Sequence, residues 1–310
     1  LFSIPYYFIP DIYPLLTPEK EGLAPGSNTI PLIATIYKST GSFYLAYDDA
    51  GTRWNCRVRG RLKIDEEISS TNPIAVGDKV MLLIEDEAEH SAIITEIQPR
   101  ENYMVRTSPH NKHQKHIVAA NIDTALLVAT IKEPRTSNGF IDRFLITAEA
   151  YHIPAVVVFN KADLLKGKYK EEWQHRKEIY EAIGYETYTT TAIKGEGLDL
   201  LAAKLKDRTT LFSGHSGVGK STLINHFIPE KNLRVQEVSG WSGKGQHTTT
   251  FAEMFDLPGG GRIIDTPGVK EFGIVDMEKE ELSHYFPEMK ERLHNCRFYN
   301  CFHINEPGCA

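Results

Sequence analysis

The run Gly214-His215-Ser216-Gly217-Val218-Gly219-Lys220-Ser221 has the G-x-x-x-x-G-K-[ST] spacing of a loop that wraps phosphates. Glycines at that spacing let the backbone curl so that its N–H groups point inward at anionic oxygens. The Lys220 ammonium adds a point charge for the β- and γ-phosphates, and the Ser221 hydroxyl is a ligand for Mg2+. Thr222 follows in the first turn of a helix predicted by the spacing of Leu223, Ile224 and Phe227. That helix aims its N-terminal partial positive charge at the same phosphates.

A phosphate loop does not choose its base, and Asn160-Lys161-Ala162-Asp163 supplies the choice. It stands at the end of an apolar strand, where ligands of open α/β sheets bind. The Asp163 carboxylate can accept two hydrogen bonds, from guanine N1–H and the 2-amino group. Adenine offers neither donor and would leave the charge unpaired. The Lys161 stem can lie along the base, and Asn160 can tie this loop to the phosphate loop. Thr191-Ala192 ends the next strand and offers backbone N–H to guanine O6. Asp265-Thr266-Pro267-Gly268 matches a D-x-x-G turn, with Asp265 holding Mg2+ through water and the Gly268 N–H meeting the γ-phosphate. Between lies the glycine-rich stretch Gly243 to Thr250, in which Thr249 or Thr250 is the expected Mg2+ ligand.

These motifs are out of their usual order. A small GTPase runs phosphate loop, threonine switch, D-x-x-G, then N-K-x-D, whereas here N-K-x-D comes first. Such rotation is compatible with one sheet because termini and loops of these folds lie at the surface. The expectation is a circularly permuted GTPase whose D-x-x-G turn leads straight into the C-terminal region. Val269 occupies the position where many GTPases carry a water-orienting Gln, and an aliphatic chain cannot do that work. His247 is the candidate replacement, alongside Lys220 and Thr249 as catalytic groups; the alternative for His247 is a structural or an exposed histidine. Slow intrinsic turnover is expected, accelerated by a partner. Gly217 stands where potassium-dependent GTPases often carry Asn, so no potassium requirement is expected.

Cys296-x4-Cys301-x-His303-x5-Cys309 groups three thiols and an imidazole, the donor set of a closed structural Zn2+ site. Gly308 permits a tight turn beside the last ligand. Lone Cys56 is expected in a core, and the cysteine usage favours a reducing compartment. In His110 to His116 the histidines read as a solvated polar linker rather than a metal site.

The elements that must position these groups fall into segments. Residues 30–106 carry five short strands (Ile33 to Tyr37, Ser42 to Ala46, Trp54 to Leu62, Lys79 to Ile84, Ser91 to Ile97), which suggests a small β-barrel, an OB-fold being the commonest choice and an SH3-like barrel reading much the same. Along the third strand Arg53, Arg57, Arg59, Arg61 and Lys63 alternate and share a face. With Trp54 and Tyr44 nearby they could bind and stack RNA, or simply form a charged edge that resists aggregation. From residue 107 to 275 strands alternate with helices, as in an α/β domain with a mostly parallel sheet. Residues 276–310 form the zinc-binding helical module.

At 310 residues, 41% hydrophobic and 25% charged, the chain is multidomain and globular in composition, and no apolar run is long enough for a membrane helix. The formal charge of −6 excludes a uniformly basic nucleic-acid binder and leaves only a local surface. Residues 1–29 stay unassigned; aromatics mixed with Pro10, Pro14, Pro18 and Pro25 do not form a signal peptide. A cytoplasmic monomer is expected.

Barrel, permuted GTPase and Cys-x4-Cys-x-His-x5-Cys tail together resemble the RsgA (YjeQ) family of ribosome small-subunit-dependent GTPases. The matching text also includes Arg59-Gly60-Arg61, Gly77-Asp78 and Ala120-Asn121-Ile122-Asp123. The resemblance implies an OB-fold, a GTPase and a zinc domain, rRNA binding, and hydrolysis stimulated by the small ribosomal subunit during its late maturation. The alternative is a GTPase serving another RNA or a membrane-associated partner. The sequence stops one residue after Cys309, so a C-terminal helix contacting the ribosome is not expected, and residues 1–28 match nothing in the family.

Overall fold

The computed structural model describes residues 32–58, 73–107, 115–231, 233, 251–266, 277–298 and 301–310. Strands β1 (Leu32–Ser39), β2 (Tyr44–Asp48), β3 (Arg53–Val58), β4 (Lys79–Asp86) and β5 (Ser91–Ile97) pair in the order β1-β2-β3-β5-β4, and β4 returns to β1 to close a five-stranded barrel. Only β3 and β5 run parallel. Period-two alternation forms these strands: in β3 the arginines and Asn55 face out while Trp54 and Cys56 face in. Ala34, Ala46 and Ala92 are small enough to leave room for Trp54 and Tyr44 in the same core. That placement corrects the stacking surface expected of Trp54 and Tyr44. Both rings are buried, and the Trp54 indole N–H donates to Asp48 Oδ2 at 3.0 Å.

A hairpin of β6 (Tyr103–Thr107) and β7 (Lys115–Ala120) follows. Lys115 and His116 therefore belong to a strand and not to a linker; residues 108–114 of that expected linker lie outside the described residues.

The same hydrogen-bonded sheet continues from β1 into the GTPase domain, which contributes β8 (Thr124–Ala129), β9 (Ala155–Phe159), β10 (Glu186–Thr189), β11 (Thr209–Ser213), β12 (Glu253–Asp256) and β13 (Arg262–Asp265). Their order is β10-β9-β8-β11-β13-β12, parallel except for β12. All six residues of β8 are buried, as a central strand covered on both faces requires. Helices α1 (Asn138–Ala150) and α2 (Lys168–Ala182) pack on one face with Phe140, Phe144 and Tyr180. Helices α3 (Leu198–Leu205) and α4 (Lys220–Phe227) pack on the other with Leu201, Leu205 and Leu223. Helix α1 starts at Asn138, where the Ser137 hydroxyl accepts from the Phe140 N–H and caps the first turn.

The phosphate-loop strand β11 is central, and the chain leaves it toward β12 and β13. The strands on its other side, β8, β9 and β10, are earlier in sequence, which is the circular permutation seen in three dimensions. The barrel meets this domain at residues whose pattern was legible and whose role was not. The Gly77 carbonyl accepts from Asn121 Nδ2 at 2.9 Å, and the Gly77 N–H donates to Ile36 O at 2.8 Å. Asp78 is fully buried against Arg100, which reaches its two oxygens at 2.6 and 2.7 Å. Asn102 exchanges two bonds with Ile122, and Asp123 Oδ2 accepts from the Thr209 N–H that opens β11.

The C-terminal region holds two short helices, α5 (Leu282–Tyr285) and α6 (Pro287–Lys290), before the cysteines. No helix among the described residues is long and apolar enough to cross a membrane.

Candidate functional site

Strand β11 delivers the chain into Gly214, and α4 begins at Lys220, so residues 214 to 219 form the turn between them. The first residues of α4 present unpaired N–H groups toward that turn, with Ser221 and Thr222 half-buried in its first coil. The Lys220 ammonium is buried and bonded to Asp265 Oδ1 and to the Thr266 carbonyl. Burial raises the Asp265 carboxyl above the usual carboxylate range, and the Lys220 charge opposes that rise. His215, half-buried, stacks on Phe140 of α1 with ring centroids 3.6 Å apart. Burial, with Arg143 assisting, holds its imidazole below the ordinary value.

Asn160 joins the base loop to the phosphate loop. Its Nδ2 donates to Val218 O at 2.9 Å, and its Oδ1 accepts from Thr190 Oγ1 at 3.0 Å and from the Ala192 N–H at 3.1 Å. Gly219 has φ +94°, and a Cβ there would collide with Asn160 Nδ2, so close approach and backbone conformation both require glycine. Lys161 lies in the left-handed region with its ammonium on Glu133 O. Asp163 Oδ1 is buried and has no hydrogen-bond partner among the described residues, which suits an acceptor aimed at an external donor.

Two expected donors are already engaged. The Ala192 N–H goes to Asn160 and the Thr191 N–H to Glu196 O at 3.0 Å, so a bond from Ala192 to guanine O6 requires sharing or exchange. Thr190 belongs to no recognised motif; its role on Asn160 follows only from its buried position just after β10. Glu133 was missed as well, since it acts through its carbonyl. His247, Thr249, Thr250 and Gly268 lie outside the described residues.

The ligand atoms of Cys296, Cys301, His303 and Cys309 all lie within 4.8 Å of one another. His303 Nδ1 is 3.5 Å from Cys296 Sγ and 3.4 Å from Cys309 Sγ. Tetrahedral Zn–S bonds of about 2.3 Å place ligands roughly 3.8 Å apart, so the cluster fits a metal ion of that size. Gly308, at φ +83°, turns the chain so that its carbonyl accepts from the Arg297 N–H at 2.9 Å.

On the barrel, Arg53 and Arg57 face out together, yet Arg57 makes a two-pronged bond to Glu85 at 2.6 and 3.0 Å. Arg59, Arg61 and Lys63 lie outside the described residues.

Fold and site together define a circularly permuted P-loop GTPase that carries an N-terminal barrel and a Cys3His cluster. Residues 34–94 match the RsgA N-terminal domain and residues 97–275 match the RsgA GTPase model. The chain is 48% identical over 279 residues to a small ribosomal subunit biogenesis GTPase RsgA of Bacteroides fragilis, covering 89% of this chain and 88% of that one. It is 49% identical to the corresponding protein of Cytophaga hutchinsonii, covering 88% and 89%. Among solved structures, YjeQ from Thermotoga maritima superposes with a TM-score of 0.70 at 31% identity, covering 90% and 89%. YloQ, described as a circularly permuted GTPase, gives 0.66 at 30%, covering 91% and 86%. The chain belongs to the RsgA family of GTPases.

Proposed function

We propose that the chain is a timer in late maturation of the small ribosomal subunit: its GTP form holds the subunit's rRNA, and hydrolysis to GDP releases it. The observation that supports this reading is the match to small ribosomal subunit biogenesis GTPases along 89% of the chain, with family models covering the barrel and the GTPase domain. Asn160, Lys161 and Asp163 select guanine, with Thr191 and Ala192 at its edge. Residues 214 to 222 cradle the phosphates. Ser221 and either Thr249 or Thr250 would hold Mg2+, with Asp265 assisting, and the Gly268 N–H would meet the γ-phosphate; the ion would offset phosphate charge.

Hydrolysis is a displacement on the terminal phosphate by water. Lys220 lies against Asp265 and Thr266, so nucleotide binding must draw its ammonium toward the phosphates, where it offsets the charge that builds as the bond breaks. His247 orients the water. Cys296, Cys301, His303 and Cys309 hold one structural Zn2+, whose chemistry is to fix the module and not to react. Arg53, Arg57, Arg59, Arg61 and Lys63 contribute to rRNA binding on a chain that works as a cytoplasmic monomer.

GTP turnover with added small subunits, or with added large subunits, at fixed Mg2+ and salt tests this proposal. Stimulation by small subunits alone is expected. Equal response to both, or to neither, removes the ribosomal assignment while leaving the GTPase intact.

A further inference from the structure

Strand β1 changes partners part-way along. Its first half pairs with β4 inside the barrel, from Leu32↔Leu82 to Thr35↔Lys79. Its end pairs with β12 of the GTPase sheet at Lys38↔Glu253. The change falls at a bulge: β1 pairs with β2 at Ile36↔Ala46 and next at Lys38↔Leu45, so Tyr37 is the extra residue. A bulge re-aims one side chain out of the strand's alternation. Ile36 and Tyr37 are consecutive and both buried, yet Ile36 packs in the barrel core and Tyr37 in the core under the GTPase sheet.

The Tyr37 hydroxyl donates to Asp256 Oδ1 at 2.6 Å, and the Arg262 guanidinium lies 5.7 Å from its ring centre. Asp256 and Arg262 face each other across the hairpin of β12 and β13, so one barrel residue touches both strands. The other end of that hairpin is the pair Glu253↔Asp265. There Lys38 reaches Glu253 at 2.9 Å, while Asp265 bonds Lys220 of the phosphate loop. A short, regular ladder therefore runs from a barrel side chain to the carboxylate assigned to Mg2+.

We propose that Tyr37 is a positioning residue through which engagement of the barrel sets the placement of the β12–β13 hairpin, and with it Asp265, so that a partner on the barrel tunes hydrolysis. The inference rests on the proposed function for the identity of that partner.

The test uses the full chain carrying Tyr37→Phe, Asp256→Asn, or both, with melting temperature as a control for folding. Hydrolysis is measured with and without small ribosomal subunits, and hydrogen exchange of residues 251–256 is measured in the GDP complex. The expected result is basal turnover within about twofold of wild type, stimulation lower by about fivefold in each single variant, and no further loss in the double variant. Exchange at residues 251–256 rises in Tyr37→Phe while that of residues 32–36 does not. Equal stimulation of wild type and Tyr37→Phe, or unchanged exchange at residues 251–256, overturns the proposal. Should small subunits fail to stimulate even the wild type, the ribosomal reading falls separately, and exchange alone decides the role of Tyr37.

Discussion

The Asn160 side chain binds Val218 O at 2.9 Å, so the residue that opens the guanine motif also holds the crown of the phosphate loop. The same amide accepts from Thr190 and Ala192, which locks three loops at the carboxyl ends of β9, β10 and β11 into one frame.

Asn160→Ala removes that frame and leaves the Thr190 hydroxyl and Ala192 N–H without their acceptor. Three bonds at roughly 1 kcal/mol each give a loss of about 2–3 kcal/mol in nucleotide binding, or some 30- to 150-fold. A fluorescent GDP titration checks it, and a loss under threefold contradicts it.

Asp163→Asn replaces an acceptor with an amide that can also donate. Guanine should lose about 100-fold in affinity, while xanthine, which carries a carbonyl in place of the 2-amino group, should gain. Competition between GTP and XTP reads the switch; unchanged GTP preference would place base recognition elsewhere.

The stacked His215 ring makes stability depend on pH. Its folded pKa is lowered, so the unfolded chain takes up a proton first as pH falls. Stability is retained above the ordinary imidazole value of about 6.5 and drains as pH drops from there toward the lower folded value. His215→Phe keeps the stack on Phe140 and should flatten that part of the curve. Denaturant melts between about pH 5 and 7 reveal whether it does.

Arg100→Ala strands a fully buried Asp78 carboxylate at the junction of barrel and GTPase domain. The cost should be about 3–5 kcal/mol of folding free energy, seen as a lower urea midpoint. Asp78→Asn with Arg100→Leu should recover part of it.

One zinc per chain is expected by elemental analysis, and His303→Ala should lower that occupancy and the melting temperature together. Full metal content in that variant would remove His303 from the ligand set.

Short contiguous motifs made much of this site legible. The phosphate loop, N-K-x-D and the Cys/His run each concentrate their chemistry within a few residues, and the apolar strand expected before Asn160 is β9. Trp54 was misplaced although the signal was there: it alternates with Arg53 and Arg57, so an outward arginine face forces the indole inward. Tyr37 was not legible, because a bulge is a property of two strands in register and no single strand announces it. Asp78 and Asn121 stood out as pattern, but Arg100 reaches Asp78 through the β4–β5 pairing and Gly77 reaches Asn121 where Val76 bridges to Ala119 of β7.

GTP hydrolysis by wild type and Lys220→Ala, side by side at fixed Mg2+ and salt with small subunits present, tests the account most directly. Loss of this charge from a preorganised site should lower turnover by at least about 100-fold, with folding unchanged by circular dichroism. A Lys220→Ala chain that still hydrolyses GTP at the wild-type rate would mean that the chemistry does not happen at this loop.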